Sequence, residues 1–493
     1  MIEVQFGLID FLLVTPALAL FLFSCVPLLI KVVRGNREQN SFATLIYAYV
    51  GLVTAFGFMV PTLGTERTAF DGALVFDGVS GFTSMIVLAV TGIALTFARD
   101  SRSTNPHQFT EMVFLVMNCA VGMLTMAWAN DLIVTFVGLE LFSLCLYMLI
   151  ALSLEEKISK EAAFKYFVLG SFASAILLYG ISFIYGTVGS TYLPDILQAS
   201  NSLLGTNRLF LIGFILLFLG FLFKISVFPF HAWAPDVYQG APTPLTGFMA
   251  TGVKAVSLAF LLRMVAAQAF TVERFWPFVD ALQWLTVLTI LVGNIGAFRQ
   301  KSLKRMLAYS SIAHSGYVMI GLIAAGIGGA SMLGATGVMF YMFAYSVMTI
   351  GAFGVLHMLE PRADSDLTVE DLRGLAVQKP WLALCMTILL LSLAGIPPTL
   401  GFFGKFFIFS AAVKQDLLWL AVWGVVGSII SVYYYLRPVV AMYMEEPLFS
   451  RGGLELKPMS YFIVACLALL VLVFGLASEP LYQVVLESVA KVF

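Results

Sequence analysis

The dominant feature of the sequence is a series of long apolar stretches that recurs along the whole chain. A membrane-spanning helix needs about 20 apolar residues in a row. We place such stretches near 7–30, 42–62, 76–98, 109–129, 131–152, 161–186, 208–238, 243–268, 275–298, 302–325, 328–359, 380–413, 416–444 and 458–486. Only 11% of the residues are charged, whereas soluble domains have about 25%. The sequence therefore predicts an all-α polytopic membrane protein of about 14 helices, with residues 1–493 forming a single membrane domain.

Lysine and arginine are distributed unevenly between the two sides of this arrangement. If the N-terminus lies outside, 17 of the 27 basic residues fall in inward loops, 5 on the outward side and 5 at membrane depth. The inward residues are Lys31, Arg34, Arg37, Arg99, Arg102, Lys157, Lys160, Arg299, Lys301, Lys304, Arg305, Arg362, Arg373, Lys379, Arg437, Arg451 and Lys457. The outward residues are Arg67, Arg208, Arg274, Lys414 and Lys491. This bias predicts an inward basic side and, with an even helix number, two outward termini.

Two apolar stretches are too long for simple spans and contain helix-breaking residues. The stretch 208–238 includes Pro229 and Pro235, and the stretch 380–413 includes Gly395, Pro397 and Pro398. Proline removes a backbone donor and interrupts a helix, and broken helices in corresponding positions of two halves mark transport sites in transporters. The two stretches lie five helices apart and so run in opposite directions, as an inverted repeat requires. The alternative is two independent proline kinks.

A few charged side chains lie inside the apolar stretches. They are Glu140, Lys165, Lys224, Lys254, Arg263 and Lys405. A charge at the bilayer centre costs at least about 2.5 kcal/mol, so such residues usually face a cavity or a partner. Glu140 and the lysines are candidate proton-transfer groups. Glu140 could instead hold neighbouring helices together, and Lys224, Lys254 and Lys405 could form static ion pairs. The alternative for Lys165 is that its side chain snorkels to the membrane interface. Arg263 does not release its proton and is expected to snorkel outward.

His231 and His314 lie at or near membrane depth, and imidazole suits proton relay because its ordinary pKa is near 6.5. A simple hydrogen-bonded role is the alternative for both. The five cysteines are dispersed through apolar stretches without a CxxC pair, which argues against a zinc or iron–sulfur site in this chain. No Gly-rich nucleotide loop and no basic block for nucleic acid is present.

Four motifs resemble those of a known family. They are GLEL (138–141), KISVFPFHAWAPDVYQGAPTP (224–244), KSLKRMLAYSSIAHSGY (301–317) and AGIPPTLGFFGK (394–405). Together they resemble the antiporter-like membrane subunits of respiratory complex I, over nearly the whole chain. Three features favour the smallest type of these subunits. The stretches 165–175 and 238–244 resemble it, and Lys405 stands where one larger relative has glutamate. No long lateral helix is expected after the last span, as it is in another larger relative.

The resemblance implies two inverted five-helix repeats, one of helices 4–8 at 109–268 and one of helices 9–13 at 275–444. It implies proton pumping in a bacterial inner membrane, with other complex I membrane subunits on both sides and lipid around them. FMN, iron–sulfur clusters and quinone would be bound by partner subunits, and no cofactor or metal by this chain. The resemblance implies that Glu140 pairs with Lys224 and that Lys165 tunes this pair. It also implies that Lys254 connects the two repeats and that protons leave on the outer side at Lys405.

Three functions remain open at this point. The first is proton translocation driven by quinone reduction elsewhere in the complex, with protons moving from Lys224 and His231 through Lys254 toward His314 and Lys405. The second is a subunit of an Mrp-type Na⁺/H⁺ antiporter or of a membrane-bound hydrogenase, which share the fold and motifs. The third is a scaffold that does not pump or that forms a quinone pocket, for which buried lysines are poorly suited because nothing offsets their desolvation.

Overall fold

The structure is a computed structural model. It describes residues 7–34, 41–101, 106–152, 157–266, 269–328, 331–360, 366–447, 457–490 and 492. Of the basic residues used to predict orientation, Arg37, Arg102, Arg362, Arg451 and Lys491 lie outside the described residues. The predicted end of the first repeat, at 268, also lies outside them.

The described chain is nearly all helical. The first ten helices are α1 Leu8–Arg34, α2 Ser41–Met59, α3 Gly78–Asp100, α4 Phe109–Trp128, α5 Leu132–Ala151, α6 Lys157–Val188, α7 Leu193–Thr206, α8 Arg208–Lys224, α9 Trp233–Gly240 and α10 Thr243–Phe248. They are followed by α11 Lys254–Ala266, α12 Trp276–Phe298, α13 Leu303–Gly326, α14 Ser331–Leu359, α15 Leu375–Gln378, α16 Pro380–Ala394, α17 Leu400–Lys414, α18 Leu418–Met444, α19 Pro458–Leu476 and α20 Glu479–Val489. A small antiparallel hairpin of β1 Arg67–Ala69 and β2 Leu74–Phe76, which the sequence analysis did not predict, precedes α3.

Within the described residues, 12 helices are long and apolar enough to cross a membrane, or up to 13 if one bent pair counts as a span. That pair is α7 and α8, which meet at 120°. The sequence analysis treated 187–207 as a loop, but α7 is an amphipathic helix whose buried residues, Leu193, Ile196, Ser200 and Leu204, follow one face. A few apolar residues at helical spacing are therefore enough for this more polar stretch to fold as a helix that packs beside the spans.

Contacts between helix ends define two ends of the bundle. At one end the first residues of α6 meet the end of α9 through the Ser159–Gly240 hydrogen bond, and the start of α19 meets the end of α3 through Ser460 and Asp100. We call this the basic end, because Lys157, Lys301 and Lys379 lie there. At the opposite end, the start of α3 meets the end of α11, and Arg208 and Lys414 lie at helix ends there. The described basic residues thus follow the predicted uneven distribution.

The centre of the bundle is formed by α10, α11, α13 and α14, whose apolar segments are almost entirely buried. The outer helices α1, α2, α6, α18 and α19 are buried over less than half of their length. Their outward faces carry many large apolar side chains, such as Phe164, Ile429 and Phe462. An apolar exterior around a buried centre is the pattern expected for a bundle surrounded by lipid.

The first predicted interruption is confirmed between α8 and α9. Residues 225–232 have no regular helix, and the chain resumes as α9 at Trp233. Backbone groups of the interruption are satisfied by other elements: the Phe228 amide donates to Thr289 Oγ1 at 3.0 Å, and the Trp233 indole donates to the Phe223 carbonyl at 3.1 Å. Such partners allow irregular backbone inside a membrane protein.

The second interruption is confirmed between α16 and α17. Gly395 ends α16 with φ +86°, a left-handed conformation that glycine adopts without steric penalty. Its amide and that of Ile396 donate back to Leu391. The carbonyl groups at the end of α16 consequently lie at a helix terminus inside the bundle, next to the start of α17.

Two further departures from a regular bundle are present. A π-helical turn, Met249–Val253, separates α10 from α11 and ends immediately before Lys254. The last predicted span, 458–486, is two helices: the apolar α19 ends at Leu476, and α20, with buried residues Leu481, Val485 and Val489, packs separately. π turns are frequent at functional sites, and the sequence pattern gave no sign of this one.

Candidate functional site

Lys224 is the last residue of α8 and lies at the first interruption. Its side chain is buried, and its ammonium donates to Ser143 Oγ at 2.8 Å. Ser143 lies on α5, one turn after Glu140, so both side chains project from the same face of that helix. Among the described residues, no carboxylate forms an ion pair with Lys224. The Lys224 ammonium is therefore bound by a hydroxyl that donates in turn to the Leu139 carbonyl, one helical turn from Glu140.

Glu140 is partly buried, and one of its carboxylate oxygens, Oε1, is inaccessible to solvent. In the part of the chain that the structure describes, this oxygen accepts no hydrogen bond. The helix carrying it is fixed by close packing, because Gly138 brings α5 so near to α4 that an added Cβ would lie 2.8 Å from the Met126 amide nitrogen. The hydrogen-bonding capacity of Glu140 Oε1 is therefore unused within the described residues.

Lys254 lies at the centre of the bundle, directly after the π turn. Its ammonium donates to Ser311 O at 2.6 Å, to Ser311 Oγ at 2.5 Å and to Ser315 Oγ at 2.8 Å. Ser315 in turn donates to the carbonyl of Ile225, the residue after Lys224, at 2.5 Å. A continuous hydrogen-bonded path therefore connects Lys254 with the first interruption.

His314 and four tyrosine rings follow Lys254 toward the second interruption. Both imidazole nitrogens of His314 have partners: Nδ1 contacts the Tyr341 hydroxyl, and Nε2 lies 2.9 Å from the Tyr435 hydroxyl. Tyr345 joins this group to Lys254 by donating to Ser311 Oγ at 2.8 Å. Tyr317 packs edge-on against His314 with ring centroids 5.6 Å apart. The predicted relay histidine is thus fully hydrogen-bonded within a cluster of hydroxyl groups.

Lys405 lies on α17 and is buried against the second interruption. Its ammonium donates to the carbonyls of Leu393 at 3.1 Å and Ala394 at 2.9 Å, which are the last residues of α16. The same ammonium lies 4.8 Å from the centre of the Tyr317 ring, which also packs against His314. The negative end of a helix dipole and an aromatic face stabilise a cation without a carboxylate.

A largely apolar groove of about 790 Å³ lies between α17 and α18 and reaches Lys405. Its lining extends from Gly395 at the interruption to Lys414 at the opposite end of α17. The groove thus runs along the side of α17, from the second interruption toward Lys414.

His231 lies within the first interruption, seven residues after Lys224. Its ring stacks on Phe228 with centroids 5.5 Å apart, and within the described residues its Nδ1 has no hydrogen-bond partner. The structure gives no direct contact between this imidazole and the Ser143–Lys224 pair. It is therefore placed at the same interruption as Lys224 but not in the path to Lys254.

Lys165 is not placed beside the Glu140 carboxylate. Its side chain is 40% exposed and binds Glu161 at 2.7 Å and Asp236 at 2.8 Å, near the basic end. Asp236 also binds Arg305 at 2.7 Å. Burial acts to raise the pKa of Asp236, but hydrogen bonds from Lys165 and Arg305 outweigh it and the pKa is lowered. The snorkelling alternative describes Lys165 better than a place inside the relay.

The expectation that Arg263 snorkels outward is wrong. Arg263 is buried and forms a bidentate pair with Asp77, at 2.7 Å and 2.8 Å. Asp77 caps the N-terminus of α3 by accepting from the Ser80 amide. Burial acts to raise the pKa of Asp77, but the Arg263 charge and these hydrogen bonds outweigh it, so the pKa is lowered. The sequence analysis missed this partner because Asp77 lies at the edge of an apolar stretch.

A second buried acid was also missed. Glu360, directly after α14, is 1% exposed and lies 3.3 Å from the ammonium of Lys304, itself 2% exposed. Both residues lie at predicted loop boundaries, where charges are usually solvated. The sequence feature that could have indicated this buried pair is the spacing of Lys304, Ser311 and Ser315, which places them on one face of α13. In the described part of the chain, no group of three or more His, Cys, Asp or Glu could hold a metal ion.

Comparisons with known proteins show the family of the chain. A family model described as "NADH:quinone oxidoreductase/Mrp antiporter, TM" matches residues 129–431. The chain belongs to this family. Within it, an NADH-quinone oxidoreductase subunit N of Bdellovibrio bacteriovorus is 50% identical over 486 residues, covering 99% of each chain. The resemblance to the smallest type of antiporter-like complex I subunit is thereby confirmed.

Solved structures share the fold of this chain. A chain of respiratory complex I from Thermus thermophilus, solved with bound aureothin, is 33% identical with a TM-score of 0.79, and the match covers 96% of this chain and 100% of that one. A chain of a membrane-bound sulfane sulfur reductase, an archaeal respiratory complex, has a TM-score of 0.85 at 22% identity, covering 98% and 97%. The second likeness shows the fold alone.

Proposed function

We propose that the chain is a proton-translocating membrane subunit of an NADH:quinone oxidoreductase. The observation that carries this proposal is the row of buried lysines, two of them at helix interruptions and the third joined to the first interruption through Ser315. Three ammonium groups held inside an apolar bundle by neutral hydroxyls and carbonyls can lose and regain protons, whereas three lysines in carboxylate pairs would be locked in the charged form.

The proton moves from the basic end to the opposite end. Glu140 and Lys224 exchange it through Ser143, and Lys254 receives it by way of Ser315 and Ser311. The His314–tyrosine cluster connects Lys254 with Lys405, and release follows from Lys405 along the side of α17. The basic end faces the cytoplasm of a bacterial cell, as the positive-inside rule requires, and both termini face outward across 14 spans in two inverted repeats.

The energy for this transfer comes from quinone reduction in partner subunits, which hold the FMN, iron–sulfur clusters and quinone. Other membrane subunits flank the chain on both sides, and lipid covers the remaining surface. The high identity to a subunit N supports this assignment over an Mrp-type antiporter, which shares the family model. This chain contributes no redox centre of its own and acts by moving charge.

Replacing Lys224 or Glu140 with alanine in the assembled complex tests the proposal. Protons pumped per electron pair should fall in both variants, because each loses a group that binds the proton in transit. Lys160→Ala is a matched control, since this exposed lysine lies at the basic end of α6. Unimpaired pumping in both the Lys224 and Glu140 variants would show that the chain does not translocate protons through these residues.

A further inference from the structure

A second acid–base pair is buried at the basic end, apart from the row of lysines. Glu360 Oε1 lies 3.3 Å from Lys304 Nζ and also accepts a hydrogen bond from Thr243, the first residue of α10. Lys304 Nζ donates in addition to the Ala241 carbonyl at 3.4 Å. The starts of α10 and α13 and the end of α14 therefore meet around one carboxylate.

The burial of this pair distinguishes it from the other ion pairs at the same end. The side chains of Lys304 and Glu360 are 3% and 0% exposed, whereas those of Arg373 and Glu445 are 36% and 39% exposed. Burying two charges costs more desolvation energy than a surface pair, and apolar residues often stabilise such a position at least as well. A contribution to the stability of the fold is consequently a weak explanation for the buried Lys304–Glu360 pair.

The pair is aligned with Lys254. Lys304, Ser311 and Ser315 are separated by seven and four residues, so they lie on one face of α13. Ser311 and Ser315 are the residues that hold the Lys254 ammonium. At 1.5 Å per residue, Lys304 lies about 10 Å along the helix from Ser311, on the side of the basic end. A proton travelling from that end to Lys254 would pass this pair.

His357 supplies an independent observation. It lies one turn before Glu360 on α14, is 4% exposed and packs against Phe97 with ring centroids 4.9 Å apart. Among the residues that the structure describes, neither of its ring nitrogens has a hydrogen-bond partner. A buried imidazole with both nitrogens open requires an explanation, and water carrying protons past the carboxylate provides one.

We propose that Glu360 is a second carboxyl group, besides Glu140, through which protons from the basic end reach Lys254 and the second half of the chain. A proton from solution binds the carboxylate, which weakens its attraction to Lys304. The O–H bond at Glu360 then breaks, water passes the proton inward, and a new N–H bond forms on the neutral amine of Lys254. Lys304 stabilises the returning carboxylate, and His357 orders the water beside it. This inference rests on the proposed function.

The test is Glu360→Gln in the assembled complex, reconstituted in liposomes. Glutamine keeps the size of the side chain and an acceptor for Thr243 but cannot carry the proton. Protons pumped per electron pair should fall as far as they do in Glu140→Gln. Asp366→Asn is the matched control, because Asp366 is an exposed carboxylate at the same end that binds Ser302 and Gln239; it should pump as the unaltered complex does.

A purely structural role for the pair gives a different result. In that case the double variant Lys304→Met with Glu360→Gln, which leaves no unpaired charge, would restore both the amount of assembled complex and the pumping. The proposal predicts that the double variant assembles normally yet pumps as poorly as Glu360→Gln. If the complex carrying Glu360→Gln alone fails to assemble, pumping by the double variant distinguishes the uptake role from the structural role.

Two outcomes separate this inference from the proposed function. Normal pumping in Glu360→Gln together with a loss in Glu140→Gln would overturn the uptake role of Glu360 and leave the proposed function standing. Normal pumping in both variants would overturn the proposed function as well, and the inference with it.

Discussion

The two lysines at the helix interruptions have different surroundings. Lys224 donates to the hydroxyl of Ser143, one turn from the buried carboxyl of Glu140. Lys405 donates to two backbone carbonyls at the end of α16 and lies over the ring of Tyr317. The first lysine therefore has a titratable acid close by, whereas the second is held by dipoles that do not titrate.

Under the proposed function, this difference gives the two lysines different roles. Glu140 lies one helical turn from the hydroxyl that binds Lys224, so a movement of α5 would change the surroundings of this lysine. The carbonyl groups around Lys405 stabilise its charge to a constant degree, so its occupancy depends on whether a proton arrives. The Arg263–Asp77 pair is a third case, a bidentate pair whose arginine does not titrate.

The largest effect is expected for the static pair, and it concerns stability. Asp77→Asn leaves the Arg263 guanidinium buried without its counter-charge, which should cost about 3–5 kcal/mol. Thermal unfolding of the purified complex, followed through this subunit, measures the loss. Asp71→Asn is the control, since Asp71 lies in the hairpin turn before α3. An unchanged unfolding temperature for Asp77→Asn would mean that the pair does not hold α3 against α11.

The same pair predicts a pH dependence of stability. Because the folded state lowers the pKa of Asp77 below its ordinary value of 3.8, its contribution is complete above that value and is lost as the pH falls through the lowered pKa. Arg263 stays charged throughout. The acid-induced loss should be smaller in Asp77→Asn, which has no carboxyl group to titrate at this position.

The next largest effect is expected at the second interruption. Lys405→Arg keeps a positive charge for the carbonyls of Leu393 and Ala394 but cannot release a proton. The complex should assemble, while proton transfer through this chain falls by more than about tenfold, as is typical when a proton-transfer group is removed. Lys414→Arg, at the exposed end of the same helix, is the control. Full pumping with arginine at 405 would make Lys405 a structural cation.

A smaller effect is expected for the Ser143 hydroxyl, which binds the Lys224 ammonium. Ser143→Ala removes the partner of the Lys224 ammonium and about 1 kcal/mol of hydrogen bonding, so pumping should slow by roughly fivefold without loss of assembly. The measurement is the initial rate of proton uptake into liposomes. Ser182→Ala on α6, whose hydroxyl bonds only within its own helix, serves as the control. A Ser143 variant with full activity would show that Glu140 and Lys224 exchange protons without this hydroxyl.

The smallest effect is expected for Lys165. Its exposed pairs with Glu161 and Asp236 should each contribute at most about 1 kcal/mol to stability. Because neither pair includes a member of the row of buried lysines, Lys165→Ala should pump nearly as the unaltered complex does. A loss as large as that of Lys224→Ala would instead place Lys165 in the transfer path and revise the comparison between the two halves.

The sequence predicted a helical membrane protein and both interruptions, because long apolar stretches and proline or glycine inside them have few structural alternatives. The predicted number was about 14 spans, whereas the described residues contain 12, or up to 13, helices long and apolar enough to cross a membrane. The sequence also identified Lys224, Lys254 and Lys405 as buried, since a lysine in the middle of an apolar helix has no route to water. Neither the Ser143 link nor the Ser315 link could be predicted, because each joins helices that are far apart in the chain.

The features that the sequence did not predict depend on tertiary packing or on backbone geometry. Asp77, Lys304 and Glu360 lie at helix ends, where a charged side chain usually reaches solvent, and only the packing of other helices over those ends buries them. The π turn before Lys254 is a change in backbone hydrogen bonding that leaves no pattern in residue type. The lateral helix α7 was missed because its apolar residues are few and occupy one face only.

The most direct test of the central claim is the number of protons pumped per electron pair by an assembled complex carrying Lys254→Met. Methionine fills similar space without a proton-binding group. Through Ser315 and Ser311, the Lys254 ammonium is joined both to the first interruption and to Tyr345 of the His314 cluster. The account predicts normal assembly and a lowered proton-to-electron ratio. An unchanged ratio in a fully assembled complex would contradict proton transfer along the row of buried lysines.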